Sequence, residues 1–150
     1  MKHSNRAFAL ISLFLVAVTG CTDQTAPERP DFRNSVASHL EAVETRDYEA
    51  FRGTLTKTDD LYVIFPGGTV LDSTTAVLEF HKTWFEDSDW VFDTKIEKVI
   101  EGTTQSTALI KYSFKDTADG PARNAWLVLT FQLEDNEWRL IHDQNTRIEE

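Results

Sequence analysis

The C-terminal stretch RNAWLVLTFQLEDNEWRLIHDQNTRI, residues Arg123–Ile148, decides the fold class of this chain. Apolar residues occupy every second position from Ala125 to Leu133, which is the pattern of a β-strand that buries one face, and we expect that face to meet the helices. The turn residues Glu134-Asp135-Asn136 interrupt this alternation. We therefore predict two strands, Arg123–Leu133 and Glu137–Ile148, joined as an antiparallel hairpin.

Two further strands are predicted upstream of the hairpin, at Trp90–Ile100 and Ser106–Lys115. Turn residues separate the strands, with Gly102 in the first connection and Asp119-Gly120 in the second. Because short connections between successive strands require antiparallel pairing, we expect the four strands to form one meander.

The residues before the meander favour helices. Apolar residues recur at helical spacing from Phe32, and Asp31 precedes them as an N-cap whose carboxylate can accept hydrogen bonds from the free amides of the first turn. Asp47 is the expected N-cap of a second, shorter helix that begins at Tyr48.

A short strand, Leu61–Phe65, is indicated by its β-branched and aromatic residues, and it ends at the turn Pro66-Gly67-Gly68. A third helix follows, with Asp72 or Ser73 as its cap. Helices that precede an antiparallel meander predict the α+β class, in which a curved antiparallel sheet packs on N-terminal helices.

The first 21 residues have the layout of a secretory signal. Met1–Arg6 is basic, Ala7–Val18 is apolar apart from Ser12, and small residues lead to Cys21. The apolar run would span only about 18 Å as a helix, short of the ~30 Å hydrocarbon core, so it is not expected to anchor the protein by itself. A secreted protein with an incidental cysteine is the alternative interpretation.

The end of this segment, Val18-Thr19-Gly20-Cys21, resembles the lipobox of bacterial lipoproteins, in which the cysteine is lipidated and becomes the mature N-terminus. Cys21 is the only cysteine of the chain, so it has no internal disulfide partner. The resemblance implies a signal peptide at 1–20, a lipidated Cys21 and tether at 21–31, and a folded domain at 32–150. It also implies a lipid-anchored protein of the bacterial cell envelope, and Thr22 after the cysteine favours the periplasmic face of the outer membrane.

The charge and composition exclude several classes of function. The net charge of −10 becomes −12 when Lys2 and Arg6 are removed with the signal, and such a surface repels nucleic acid. His39, His81 and His142 lie far apart without metal-ligand spacing, so no metal site is predicted. The chain has no phosphate-cradling glycine loop, and we predict no cofactor.

The last strand carries the first candidate site residues. A period of two places His142 and Gln144 on the same face as the apolar Trp138 and Leu140, towards the helices, and turns Asp143 to the other face. An apolar concavity with a few polar groups is the usual form of a small-molecule site. His142 and Gln144 are therefore expected to contact a ligand, or else to be core polar residues held by internal hydrogen bonds.

Four other residues are candidates for lining the same concavity: Tyr62, His81, Trp84 and Tyr112. Trp84 and Tyr112 have core packing as their alternative role, and His81 has an exposed position at the edge of its helix. Trp126 and Val128 lie on the opposite, helix-free face of the sheet. An apolar patch there indicates an interface, and scattered surface residues are the alternative.

The order of elements and the residues Trp138, His142 and Thr146 resemble the NTF2-like superfamily, in particular SnoaL-like and DUF4440-type domains. The sequence is also similar to the association domain of calmodulin-dependent kinase II. Gln144 stands where these families often have a second histidine. The resemblance implies a cone-shaped fold with a pocket between the sheet and the helices, and homodimers formed through apposed sheets. It does not imply a single function.

Three functions follow as hypotheses. The first is an envelope lipoprotein whose domain binds a small, partly apolar molecule. The second is an acid–base enzyme, of isomerase, dehydratase or hydrolase type, that uses His142 or a nearby carboxylate. The third is a dimeric assembly module without a ligand. The sequence leaves open whether the protein is an enzyme and does not identify catalytic residues.

Overall fold

The computed structural model describes residues 28–149. The signal peptide, Cys21 and most of the predicted tether lie outside the described residues, so signal cleavage, lipidation and the domain boundaries stay predictions. No helix within residues 28–149 is long and apolar enough to cross a bilayer.

The described residues form helices and strands in the predicted order, with one additional short strand. The elements are α1 (Phe32–Glu44), α2 (Tyr48–Gly53), β1 (Tyr62–Ile64), β2 (Val70–Leu71), α3 (Thr74–Trp84), β3 (Val91–Ile100), β4 (Gln105–Lys115), β5 (Arg123–Glu134) and β6 (Glu137–Arg147). The α+β class and the packing of helices on a curved, open sheet are confirmed.

Side-chain caps begin the three helices. The carboxylate of Asp31 accepts from the backbone amide of Asn34 at 2.8 Å, and Asp47 caps α2 in the same way. Ser73, rather than Asp72, caps α3. Each cap satisfies an amide that has no partner within its helix, which is why these short polar residues mark the helix starts.

The six strands form one sheet in the order β2-β1-β6-β5-β4-β3. Strands β3 to β6 are the predicted antiparallel meander. Strand β1 is parallel to β6, with Tyr62 opposite His142 and Ile64 opposite Gln144. The sequence makes no prediction for the direction of β1, because a long stretch of chain separates β1 from β6 and no hairpin turn sets their relative direction.

One face of the meander packs on the helices and forms the core. The residues of β5 that were expected to face the helices, from Ala125 to Phe131 at alternate positions, are buried. At one end of the core the ring of Phe32 from α1 lies edge-on to Phe131 and Trp138, at centroid distances of 5.6 and 5.2 Å. Helix α1 is thereby fixed across the sheet near the β5–β6 turn.

Residues 28–30 are bound at this same end of the sheet. The indole nitrogen of Trp138 donates to the carbonyl oxygen of Pro30 at 2.9 Å. The guanidinium of Arg29 lies 5.5 Å from the Trp138 ring and donates to the Gly102 carbonyl at 2.7 Å. The start of the described chain is therefore attached beside the β3–β4 and β5–β6 turns.

Candidate functional site

A cavity of about 280 Å³ lies between the sheet and the helices, towards the end of the sheet opposite residues 28–30. Its walls are mainly apolar, with many aromatic rings, and come from all three helices, from β1 and the loop after it, and from the four strands of the meander. The aromatic rings that line it beside the histidines are Phe51, Phe65, Phe80, Trp84, Phe92, Tyr112 and Phe114. Such a lining suits the apolar part of a small molecule.

A β-bulge in β6 decides which polar residues face this cavity. Phe131 pairs with Leu140, but the preceding residue Thr130 pairs with His142, so Ile141 is an extra residue in β6. A bulge places two residues opposite one and changes the alternation of side chains beyond it. After the bulge, the residues on the cavity side are therefore Asp143 and its alternate neighbours.

The bulge corrects the placement of two expected site residues. His142 and Gln144 do not line the cavity, whereas Asp143, which strict alternation turned away from it, does. Tyr62 does not line it either; its side chain is 52% exposed, while the next residue, Val63, is buried. Tyr62 pairs with His142, so these two residues share the outer face of the sheet.

Three other expected residues, His81, Trp84 and Tyr112, are brought together around the cavity. Nδ1 of His81 lies 2.8 Å from the carbonyl oxygen of Val77, one helical turn earlier. The imidazole stacks on Phe51 at a centroid distance of 4.2 Å. Burial lowers the pKa of His81 to about 4, so the ring is neutral at pH 7.

His39 is a cavity residue for which no such role was predicted. Its Nδ1 lies 2.8 Å from the hydroxyl oxygen of Thr54, and that hydroxyl donates to the Phe51 carbonyl at 2.6 Å. The hydroxyl oxygen therefore accepts from His39, which places the imidazole proton on Nδ1. Burial, together with the nearby His81, lowers the pKa of His39 to about 3. Both histidines are thus neutral rings with internal bonds at Nδ1.

Asp143 is the acidic residue of the cavity lining. Part of the residue remains accessible from the cavity, but its carboxyl group is enclosed by protein, and this burial raises its pKa to about 7. The side-chain amide of Asn145 donates to one carboxylate oxygen at 2.8 Å and to the Ile64 carbonyl at 3.0 Å. Asp143 can therefore gain or lose a proton close to neutral pH.

Tyr112 is coupled electrostatically to this carboxyl group. Burial and the negative charge of Asp143 raise the pKa of the Tyr112 hydroxyl to about 12, against the smaller opposing effect of Arg123 and Arg147. The hydroxyl remains protonated at physiological pH and can donate a hydrogen bond. A protonated phenol and a carboxyl group of intermediate pKa therefore belong to one cavity.

The outer end of the cavity is lined by two arginines, Arg123 and Arg147. Arg123 makes two bonds to the carboxylate of Asp116, at 2.6 and 2.7 Å, and its guanidinium lies 5.1 Å from the Phe114 ring. Arg147 is exposed and follows Asn145 on the same side of β6. Between residues 28 and 149, no group of three or more histidine, cysteine or acidic side chains is arranged to hold a metal ion.

Comparisons with known proteins agree with this architecture. A family model for the SnoaL-like domain matches residues 33–145. A Thiobacillus denitrificans protein described as a calcium/calmodulin-dependent protein kinase type II association domain is 14% identical, with a TM-score of 0.70 over 83% of this chain and 100% of that chain. No curated protein sequence matches the chain significantly.

Two other solved structures carry enzyme-like descriptions. A Streptomyces avermitilis protein described as a dehydratase from the NTF2-like family is 12% identical, with a TM-score of 0.69 over 79% of this chain and 94% of that chain. A ketosteroid isomerase-like protein from Erwinia carotovora atroseptica is 17% identical, with a TM-score of 0.60 over 79% and 94%. At these identities the likeness establishes the fold and no function.

The family model extends from α1 through most of β6 and so includes every element that builds the cavity. The chain belongs to the SnoaL-like domain family and has the NTF2-like fold.

Proposed function

We propose that the domain binds a small, partly apolar molecule in the cavity between the sheet and the helices. The observation that carries this proposal is a space of about 280 Å³ with aromatic walls and a few polar groups directed into it. An assembly module without a ligand would be favoured by a cavity filled with large side chains. Trp84 and Tyr112 instead form part of the wall, and Trp138 is not among the lining residues.

The polar groups of the cavity would determine the orientation of such a molecule. Its apolar body would pack on the aromatic walls, and a hydroxyl or carbonyl group would lie near Tyr112 and Asp143. Both residues can donate a hydrogen bond when protonated, and Asp143 can accept one when ionised. The neutral imidazoles of His39 and His81 would form part of the surface against the body of the molecule.

Native mass spectrometry of the protein extracted from its own host tests binding. We expect a non-covalent adduct that is lost from the Asp143→Ala variant and retained by Gln144→Ala. These are adjacent residues, one lining the cavity and one outside it, so they form a matched pair. Absence of an adduct, together with unchanged melting temperatures in host small-molecule fractions, would contradict the proposal.

A second candidate function is acid–base catalysis at Asp143. A general base is most effective when its pKa lies near the working pH, and burial raises the pKa of Asp143 to about 7. Asp143 would remove a proton next to a substrate carbonyl, and the Tyr112 hydroxyl would donate to the oxygen that becomes negative. The descriptions of a dehydratase and an isomerase-like protein among the similar structures support this chemistry.

Hydrogen exchange at an enolisable ketone provides a direct assay. In D₂O, 4-phenylbutan-2-one should lose its α-protons to solvent faster with the protein than in buffer, with a pH midpoint near 7. Asp143→Asn should abolish the acceleration, and Gln144→Asn should preserve it. Equal rates for all three proteins would remove support for this second function.

We also propose that the domain is held in the bacterial cell envelope by a lipid on Cys21, on the periplasmic face of the outer membrane. The support is the sequence of residues 1–21, which lie outside the described residues. Intact-mass analysis should find a lipidated chain beginning at Cys21, and an unmodified thiol on a soluble chain would contradict the proposal.

A further inference from the structure

Four exposed residues line the cavity and form its mouth: Pro66, Phe80, Arg123 and Arg147. The charged residues among them are both arginines, although the chain as a whole has a net charge of −10. Arg123 is the first residue of β5 and Arg147 is the last residue of β6, and both line the cavity. The chain as a whole is acidic, so the positive charge at the mouth comes from these two arginines alone and contrasts with the rest of the surface.

The two arginines differ in whether their charge is already neutralised. Arg123 is bound by the Asp116 carboxylate through two hydrogen bonds. The side chain of Arg147 makes no ion pair and no hydrogen bond with any of residues 28–149. A guanidinium has several N–H donors in a planar arrangement that matches a carboxylate. Arg147 is thus the cation at the mouth that remains open to an anionic group.

The wall beside Arg147 carries a small side chain, Ala125, which lines the cavity. Ala125 on the central strand β5 pairs with Tyr112 on one side and Arg147 on the other. Cross-strand neighbours are about 5 Å apart, so Tyr112 and Arg147 stand about 10 Å apart with only a methyl group between them. A carboxylate above Ala125 could accept from both the Tyr112 hydroxyl and the Arg147 guanidinium.

We propose that the molecule bound in the cavity is an amphipathic anion, with an apolar body against the aromatic walls and a carboxylate at the mouth held by Arg147 and Tyr112. This inference rests on the proposed binding function. It names the class of ligand that the same cavity selects.

The inner part of the cavity is compatible with an anion at the mouth. Asp143 lies four residues before Arg147 on β6, which corresponds to about 13 Å along the strand. The two residues therefore stand at different positions along the cavity, and Tyr112 interacts electrostatically with both. The alternative, an ammonium ligand that pairs with Asp143 among the aromatic rings, would be repelled by the arginines that line the same cavity.

Three probes with the same apolar body distinguish these ligands: 4-phenylbutyrate, 4-phenylbutan-1-ol and 4-phenylbutylammonium. In calorimetric titrations of the full chain at about pH 7, we expect the carboxylate to bind about tenfold more tightly than the alcohol, the ratio that one charge-assisted hydrogen bond supplies. The ammonium should bind most weakly.

Variants at the mouth assign the preference to one side chain. Arg147→Gln should bring the affinity for the carboxylate down to that for the alcohol without changing the alcohol, and Arg147→Lys should keep part of the preference. Arg33→Gln, which removes an exposed arginine of α1 that does not line the cavity, is the control. The preference should also weaken at high salt, because the pair lies near solvent.

Each contrary result has a defined meaning. Equal affinity for the carboxylate and the alcohol, or a preference that survives Arg147→Gln, would overturn the inference while leaving the proposed binding function intact. Tightest binding of the ammonium would overturn it and indicate Asp143 as the recognition group. If none of the three probes binds, the proposed binding function fails and this inference fails with it.

Discussion

At the scale of single residues, Asp143 determines the electrostatics of the cavity. Among residues 28–149, it is the one acidic residue that lines the cavity. Its carboxylate accepts a hydrogen bond from the Asn145 side chain at 2.8 Å. That bond favours the ionised form, but removal from water disfavours it more strongly, and the pKa rises to about 7. Ionisation of this buried carboxyl group therefore lowers the stability of the folded protein.

The cost predicts how stability depends on pH. The folded-state pKa of Asp143 lies above the ordinary value of 3.8, so the folded state binds the proton more tightly and loses stability as the pH rises through about 7. Relative to the natural protein, Asp143→Asn should gain about 2 kcal/mol between about pH 5 and pH 8, less than the ~4 of the full shift because this interval begins above the ordinary pKa of 3.8. Urea denaturation at a series of pH values measures this difference.

The two buried histidines change the stability with pH in the opposite direction, so their contribution must be separated from that of Asp143. The lowered pKa values of His39 and His81 mean that their contribution is present above the ordinary value of 6.5 and is lost as the pH falls below it. Both rings are present in the two proteins, so their effect cancels in the difference. Gln144→Asn is the matched control, and a difference between natural protein and Asp143→Asn that does not vary with pH would contradict the prediction.

At the scale of elements, the bulge at Ile141 is the feature that builds the site. Before the bulge, the even-numbered residues Trp138 and Leu140 face the core. After it, the odd-numbered residues Asp143 and Asn145 face the cavity. Without the extra residue, His142 and Gln144 would be the polar residues of β6 that face the cavity. A single inserted residue therefore exchanges the chemical groups presented to a ligand.

Thiol labelling along β6 tests the bulge directly. With Cys21→Ser and Trp126→Asp as background, so that no partner subunit covers the helix-free face, single substitutions His142→Cys, Asp143→Cys, Gln144→Cys and Asn145→Cys place one thiol at each position. A bulky maleimide should react quickly at 142 and 144 and slowly at 143 and 145, because the latter lie on the cavity side. The reverse alternation would mean that β6 continues in phase from Leu140, and unfolded protein, which should react equally at all four positions, is the reference.

At the scale of the whole molecule, the sheet has one face covered by helices and one face without them. Leu109 on β4 pairs with Val128 on β5 on the helix-free face, next to Trp126, and each is only partly buried. Tyr62 on β1 is 52% exposed. Partly exposed apolar residues on a face without helices suit an interface between subunits, and the homodimer stays our prediction.

A charge on this face should separate the subunits. Trp126→Asp is expected to convert the dimer into a monomer and to raise the dissociation constant at least about 100-fold, the effect of removing an aromatic anchor worth about 3 kcal/mol. Light scattering at tens of micromolar measures the mass, and circular dichroism should show that the fold is kept. Thr103→Asp, in the exposed β3–β4 turn, is the control. A monomeric natural protein would refute the prediction.

The sequence by itself determined the elements and part of the site. Caps and apolar spacing act within a few residues, so Asp31 and Asp47 predict the starts of α1 and α2, and alternation predicts the buried face of β5. The positions of His81 and Trp84 on α3 follow from helical spacing in the same way, and both line the cavity.

Only the tertiary structure decided the direction of β1 and the identity of the polar residues in the cavity. Both depend on how β6 pairs with its neighbours, and pairing partners are distant in sequence. The adjacent apolar residues Leu140 and Ile141 break the alternation and could have indicated a bulge, but alternation alone does not state which strand takes the extra residue. Register is set by packing across strands, and for that reason it placed Asp143, not His142, in the cavity.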